Sequence, residues 1–344
     1  MKKILVTGGA GYIGSHTLVD LIENGFEVLS ADNNVRSSSE IFIRVEKITG
    51  KKIKNYKIDL CNYDDCKTIF NQHPDIVGVI HFAAYKAVGE SVENPLLYFQ
   101  NNLGSLITIL RCIEEFKIPY FVFSSSCTVY GNADSIPVTE NTPRKDAASP
   151  YGLTKQMGEQ IIEAFSAANK FTKSIMLRYF NPAGAHPTAL IGELPIDKPQ
   201  NLTPILTQTA IGKLPSFVVF GDDYNTRDGS CIRDFIHVCD LANAHTKALQ
   251  YMLEGKSELP CEVFNLGTGT GITVLEAINT FEQSTGVKLN YTIGERREGD
   301  VIAIFANNDK AKSLLNWEAK YTIPEIMRSA WEWEKALQDN PIMP

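Results

Sequence analysis

The sequence predicts an α/β fold, a doubly wound parallel sheet with a smaller mixed α/β unit behind it, and two observations carry that prediction. Through the first half of the 344 residues, short β-branched runs alternate with stretches of helical periodicity, the rhythm of strand–helix–strand crossovers. The first of these runs ends in a glycine-rich turn, Gly8-Gly9-Ala10-Gly11-Tyr12-Ile13-Gly14, which opens a helix with Leu18, Leu21 and Ile22 on one face.

Taken in order, the strands expected are 3–7, 27–31, 55–58, 77–82, 120–123 and 174–179. After about residue 180 the alternation yields to loops marked by Asn181-Pro182, Pro195, Pro199, Asn201 and Pro204. A Rossmann-type domain is therefore expected over residues 1–180, and a smaller C-terminal substrate domain over 181–344. The chain is long enough to bury a core without disulfides. A formal charge of −7 disfavours nucleic acid or a membrane surface as a partner, so local basic groups must hold any bound anion. The apolar run after Lys2 and Lys3 stops at Thr7, too short for a signal peptide, and no run reaches the length of a membrane span. Seven scattered cysteines without a CxxC pair suggest reduced thiols and a cytoplasmic location. The histidines lack metal-ligand spacing, so no metal is expected.

Strand 3–7 running into Gly8, Gly11 and Gly14 is the strand-to-helix setting of a dinucleotide turn. The glycines permit a tight bend and a close approach to a pyrophosphate, and the helix start supplies amide donors. Asp32 ends the second strand, where a carboxylate accepts hydrogen bonds from ribose hydroxyls and repels a 2′-phosphate. That favours NAD over NADP, with Arg36 as the one nearby group that argues for the phosphorylated cofactor. Asp59, after the third strand, reads either as an adenine contact or as a helix cap.

The chemistry centres on Ser149-Pro150-Tyr151-Gly152-Leu153-Thr154-Lys155. Serine followed by proline is an N-cap and first helical position, so Tyr151 falls in the first turn and Lys155 on the same face. An adjacent ammonium, the helix N-terminus and a cationic nicotinamide all favour phenolate, which makes Tyr151 a candidate general base. Ser126 lies in the serine triplet delivered by strand 120–123 to its carboxyl end, placed to orient a substrate hydroxyl.

At these residues the sequence resembles the UDP-glucose 4-epimerases of the extended short-chain dehydrogenase group. TGGAGYIGSH (7–16), KAVGES (86–91), FSSSCTVYG (123–131), SPYG (149–152), LRYFNPAGAHP (177–187) and RREGD (296–300) carry the resemblance over nearly the whole chain. It implies that Tyr151 takes the proton of the sugar's 4-hydroxyl while hydride passes from carbon 4 to NAD. The 4-keto sugar then turns over, and hydride returns to its other face, interconverting UDP-glucose and UDP-galactose with no net redox. It also implies that Gly8, Gly11, Tyr12, Ile13, Gly14, Asp32, Asn33, Ser37, Asp59, Leu60, Phe82, Ala83, Lys86, Asn101, Ser126, Tyr151, Lys155 and Phe180 line the cofactor. The substrate would meet Lys86, Ser126, Tyr151, Asn181, Asn201, Leu202, Phe220, Arg233, Arg297, Asp300 and Ile304, in a homodimer.

Ile304 stands where the family places a residue near the sugar's 2-substituent. Its intermediate size favours unacetylated sugars, although Phe305 would take that place if the register slipped by one. Ala84 and Cys127 replace the family's usual glycine and alanine. A nucleotide-sugar 4,6-dehydratase is the nearest alternative, but such enzymes usually carry Asp-Glu where Cys127 and Thr128 stand. A non-enzymatic NAD-sensing regulator would have no use for Tyr151 and Lys155. A second glycine-rich segment, Asn265 to Gly271, lacks the downstream acid of a dinucleotide site and reads as a tight turn supporting the cleft.

Overall fold

The computed structural model describes residues 1–195, 198–297 and 300–342. Its strands are β1 (Lys3–Thr7), β2 (Glu27–Ala31), β3 (Lys54–Tyr56), β4 (Ile76–His81), β5 (Tyr120–Ser124) and β6 (Lys173–Tyr179), followed by β7 (Asn181–Ala183), β8 (Phe217–Phe220), β9 (Ile232–Arg233), β10 (Phe235–His237), β11 (Cys261–Leu266), β12 (Ile272–Thr273) and β13 (Tyr291–Gly294). Seven of these form one parallel sheet in the order β11-β6-β5-β4-β1-β2-β3. The order reverses between β1 and β4, which opens a crevice at the carboxyl ends of those two strands.

Strand geometry sorts adjacent residues into two cores. Ile4, Val6, Ile80, Val122, Ile175 and Leu177 face one side, where Leu18 and Leu21 of the helix Tyr12–Glu23 and Leu241, Ala244 and Leu249 of the helix Val238–Leu253 pack on them. Leu5, Val79, Phe121, Phe123 and Met176 face the other, against Ile69, Leu106, Ile109 and Ile162 from the helices Tyr63–Gln72, Gly104–Glu115 and Pro150–Ala168. Period-two side chains buried on both faces are what a parallel sheet covered by crossover helices demands.

The sheet does not end at residue 180. The helix Val238–Leu253 returns to cover it and β11 pairs with β6 in register from Cys261 opposite Ser174, so the later sequence supplies an edge strand. What stands apart is a smaller unit built on two short parallel pairs, β7 with β10 and β8 with β13, and one antiparallel pair, β9 with β12. Its core joins Leu206, Phe217, Val219 and Phe235 to Ile278 and Phe281 of the helix Val274–Thr285 and Ile326 and Met327 of the helix Ile323–Asp339. Both helices start with a reciprocal Thr-x-x-Glu box, Thr273 with Glu276 and Thr322 with Glu325, which fixes where each begins.

One buried ion pair locks the helix Pro150–Ala168 onto β6. Glu159 is fully buried, and its carboxylate takes Nε and Nη2 of Arg178 at 2.8 and 2.6 Å, the Ser125 hydroxyl at 2.6 Å and Arg144 Nη1 at 3.3 Å. Arg178 Nη1 donates to the Tyr130 hydroxyl at 3.1 Å and to the Glu140 carbonyl at 3.3 Å, and Tyr130 donates to Asn265 Oδ1 at 2.6 Å. A guanidinium left alone in that position has no water to turn to. Glu159→Ala is expected to cost about 3–5 kcal/mol of unfolding free energy in chemical denaturation; a loss below about 1 kcal/mol would show that the pair contributes no more than a surface contact.

Candidate functional site

The glycine-rich turn sits at the mouth of the crevice. Gly8 has φ +70°, and a Cβ there would stand 2.9 Å from the Ala83 amide nitrogen, so only glycine lets the turn close on the loop that follows β4. The Gly11 amide donates to the Gly8 carbonyl at 3.0 Å, and a Cβ on Gly14 would meet that same oxygen at 2.2 Å. Tyr12 and Ile13 then begin the helix, with the Tyr12 hydroxyl donating to the Gly184 carbonyl at 2.5 Å. The turn is thus pressed between two strands and a helix start, which leaves amides for an anion.

Asp32 follows β2 beside this turn. Its carboxylate accepts the Ala10 amide at 3.0 Å, the Asn34 amide at 2.9 Å and the Ser37 hydroxyl at 3.0 Å, while Asn33 turns its own amide oxygen to the Val35 amide. Arg36 is committed elsewhere: it pairs with Glu90 at 2.5 Å and lies over the Tyr85 ring. A carboxylate in front and a guanidinium drawn aside suit two ribose hydroxyls better than a 2′-phosphate. The residues therefore fit NAD. Asp59 accepts the Cys61 amide at 2.9 Å in a local turn beside buried Leu60, whereas the cap of the next helix is Asn62, so the capping reading of Asp59 fails. Phe82 and Ala83 continue β4 along the crevice wall, with Ala83 donating to Thr7 Oγ1. Asn101 sits in a π-helical turn, Phe99–Leu103, the kind of irregularity that often re-aims a side chain at a site.

Tyr151, Lys155 and Ser126 come together at the carboxyl end of β5. Ser149 caps the helix through Gly152 with Pro150 next, as the sequence indicates, and both Tyr151 and Lys155 are buried. Their charge relation differs from expectation. Burial raises the Tyr151 phenol well above its ordinary value, the neighbouring Tyr179 phenol adds to this, and only a hydrogen bond with Ser126 opposes it. The Lys155 Nζ donates to the Ser124 carbonyl at 2.7 Å and lies over the Tyr151 ring, 5.9 Å from its centre. Burial lowers the Lys155 ammonium to about 8, with Glu159 holding it back from falling further. Spacing placed the two residues on one helical face, but the desolvation of each is a property of the packed core.

The groups expected to meet a diphosphate lie in the smaller unit. Arg233 Nη1 donates to the carbonyls of Ile232 at 2.9 Å and Val301 at 2.6 Å, with Nη2 3.6 Å from Asp300. Arg297 pairs with Asp300 at 2.7 and 3.2 Å and lies over the Phe220 ring. Glu298 and Gly299, the middle of the RREGD segment, lie outside the described residues. Asn201 starts the helix Leu202–Ala210 but sends its side chain to Glu193 at 2.7 Å, where Lys86 also binds at 2.7 Å. Lys86, from the loop after β4, thereby reaches the loop that leads to Leu202. Asn181 is fixed by its amide to the Asp234 carbonyl at 2.9 Å. Ile304 is buried against Val129, Tyr130 and Phe180, so it and the last β6-side residue share one apolar wall. Phe305 packs instead toward Gly271, in a segment that forms only isolated bridges and not the strand expected there.

Sequence reasoning missed Glu159, Arg178, Tyr179, Glu193 and Asp234. Only Glu159 had a local signal, one turn beyond Lys155; the others owe their places to contacts across the fold. Burial raises the Cys127 thiol to about 12, and no disulfide joins any cysteine. Among the described residues no group of three or more His, Cys, Asp or Glu is arranged to hold a metal ion, and no helix is long and apolar enough to cross a membrane.

Comparison with known proteins agrees with this geometry. A family model described as GDP-mannose 4,6 dehydratase matches residues 5–330. UDP-glucose 4-epimerase uge1 of Schizosaccharomyces pombe is 46% identical over 96% of this chain and 94% of its own length. Bifunctional protein GAL10 of Pachysolen tannophilus is 47% identical over 97% of this chain, which spans 49% of that longer protein. A crystal structure of UDP-glucose-4-epimerase from Stenotrophomonas maltophila, with bound NAD and formylated UDP-arabinopyranose, superposes with a TM-score of 0.95 at 42% identity, covering 98% of this chain and 99% of that one. Within the wider group that the dehydratase model describes, this chain belongs to the UDP-glucose 4-epimerase family.

Proposed function

We infer that the chain interconverts UDP-galactose and UDP-glucose, with NAD held at the crevice between β1 and β4. The observation that carries this reading is the burial of Tyr151 in hydrogen-bonding reach of Ser126, at the strand end beside a dinucleotide turn. Bound NAD supplies the oxidising and reducing power at sugar carbon 4. Tyr151 takes the proton of the 4-hydroxyl and later returns one to the 4-keto sugar, so neither protons nor electrons are consumed overall. Ser126 orients that oxygen and favours phenolate. Because burial alone keeps the phenol protonated, deprotonation relies on positive charge facing it from the cofactor side, and Lys155 holds a further ammonium at the base of the site. Arg233 and Arg297 are the cations for the diphosphate, with Phe220, Asn181, Asn201, Leu202 and Asp300 around the nucleoside and Ile304 against the sugar.

The dehydratase reading lacks support from the side chains. Elimination of water needs an acid and a base near carbons 5 and 6, and a thiol raised to about 12 at Cys127 beside Thr128 supplies neither at neutral pH. We also infer a homodimer. What supports it is a run of exposed apolar side chains, Val88, Val92, Leu96, Leu97 and Ile107, on consecutive helices of the sheet unit. Unpaired thiols at all seven cysteines favour the cytosol.

Purified protein is expected to convert UDP-galactose to UDP-glucose without added NAD and to release NAD on denaturation. Tyr151→Phe should lower kcat by about 10²–10⁴-fold while keeping its NAD; an unchanged rate would remove Tyr151 from the chemistry. Lys155→Met should lose turnover with NAD bound, and, compared with wild type after NAD is stripped from both, should be more stable by on the order of 1 kcal/mol at pH 7. The sign follows from a folded value below the ordinary one. Between about 8 and the ordinary 10.5 the unfolded chain binds more protons, so wild-type stability rises through that window and the variant's advantage fades. A gain that does not change with pH would show that Lys155 is not the group titrating. Sedimentation equilibrium should give twice the 38.2 kDa chain mass, and Leu96→Glu should shift it toward one; a monomeric wild type would discard the dimer.

A further inference from the structure

The second glycine-rich turn, Asn265 to Gly271, is built like an anion cradle, and the anion it holds belongs to the chain itself. Asp234 is fully buried. Its Oδ1 accepts the Thr268 amide at 2.8 Å and the Thr268 hydroxyl at 2.7 Å, and its Oδ2 accepts the amides of Gly269 at 3.3 Å and Ala306 at 3.1 Å. Gly267 permits the approach, since a Cβ there would stand 2.3 Å from Oδ2. Four donors on one dry carboxylate leave it a single orientation.

The segments so joined are those that carry the substrate groups. Asp234 follows Arg233 directly. Ala306 lies just beyond Ile304, whose amide donates to the Ile232 carbonyl at 3.2 Å, while the Ile232 amide donates to the Ile302 carbonyl at 2.8 Å. The Arg233 guanidinium also donates to the Val301 carbonyl of this segment. On the outer side, the Val138 amide donates to the Phe305 carbonyl at 3.0 Å and the Asn307 amide to the Val138 carbonyl at 2.8 Å. Residues 301–307 are therefore clamped along both edges, and the Asp234 carboxylate ties them by hydrogen bonds to the turn after β11.

We propose that Asp234 is a positioning residue that sets the span between Arg233, the diphosphate anchor, and Ile304, the wall for the sugar's 2-substituent. This rests on the epimerase reading and on the roles inferred there for those two residues. The span decides how far along the cleft a hexose lies once its diphosphate is anchored, and so how much room remains beside carbon 2. None of the four bonds touches the Gly8 turn or Asp32, so cofactor binding is independent of it.

The test compares Asp234→Asn, Thr268→Val and Thr268→Ser in the full-length protein with its own NAD. Wild type should favour UDP-galactose over UDP-N-acetylgalactosamine. Asp234→Asn and Thr268→Val should raise KM for UDP-galactose about tenfold, as expected for losing a hydrogen bond to a charged group. Their kcat should stay within about threefold of wild type, NAD content should be unchanged, and the preference for the unacetylated sugar should narrow. Thr268→Ser keeps the hydroxyl and should restore all of these values. A Thr268→Val protein with a lower melting temperature but unaltered KM and preference would overturn the proposal, as would equal losses of kcat and NAD. Calorimetric UDP affinity in the same variants reads the anchor without turnover. It should weaken alongside KM, so unaltered UDP affinity in the variants would strike this proposal, whereas failure of the wild-type hexose assay would strike the epimerase reading beneath it.

Discussion

The bond from the Lys155 ammonium to the Ser124 carbonyl is the contact on which the site depends. It joins the opening turns of one helix to the carboxyl end of β5, so that Ser126 beyond the strand and Tyr151 one turn earlier meet. An ammonium withdrawn from water must be compensated. Here the compensation is the carbonyl, the face of Phe123 at 4.9 Å and the carboxylate of Glu159 one turn along. Glu159 in turn is shared with Arg178, Arg178 with Tyr130, and Tyr130 with Asn265, where the second glycine-rich turn begins. Placing one charge in the core thus sets a polar line that runs from Lys155 and Tyr151 to the turn that holds Asp234.

That line explains why the later part of the chain is not an appendage. Asn265 ends the strand that completes the sheet, and the adjoining turn supports residues 301–307, which form one wall with Phe180 at the end of β6. The Gly8 turn and the segment 301–307 thus belong to one packed body, and in the function proposed above a hexose lies between the wall at the end of β6 and the arginine of β9.

Much of this was legible in the sequence because it is written locally. Gly8, Gly11 and Gly14 announce a strand-to-helix turn, Asp32 falls where the second strand ends, and Ser149-Pro150 fixes a helix start that sets Tyr151 and Lys155 on one face. Properties created by packing were not legible. The sequence shows an ammonium four residues from a phenol, and adding charges gives a lowered phenol; burial instead raises it, and the lysine turns to a carbonyl. Arg233 beside Asp234 looks like an ion pair, yet the arginine goes to Asp300 and two carbonyls while the aspartate goes to a turn some thirty residues later. Residue 180 looked like a boundary because helix and strand signals thin there, but β11 returns to the sheet by long-range pairing that no local pattern encodes.

The pairing of Arg233 and Arg297 with Asp300 bears on how a dianion finds this site. The chain carries a net charge of −7, yet these two guanidiniums share a single carboxylate at close range, so the cluster keeps one positive charge in an acidic chain. In the function proposed above, a diphosphate meeting that cluster takes the place of Asp300 as the partner of the guanidiniums, so binding is an exchange of one anion for another.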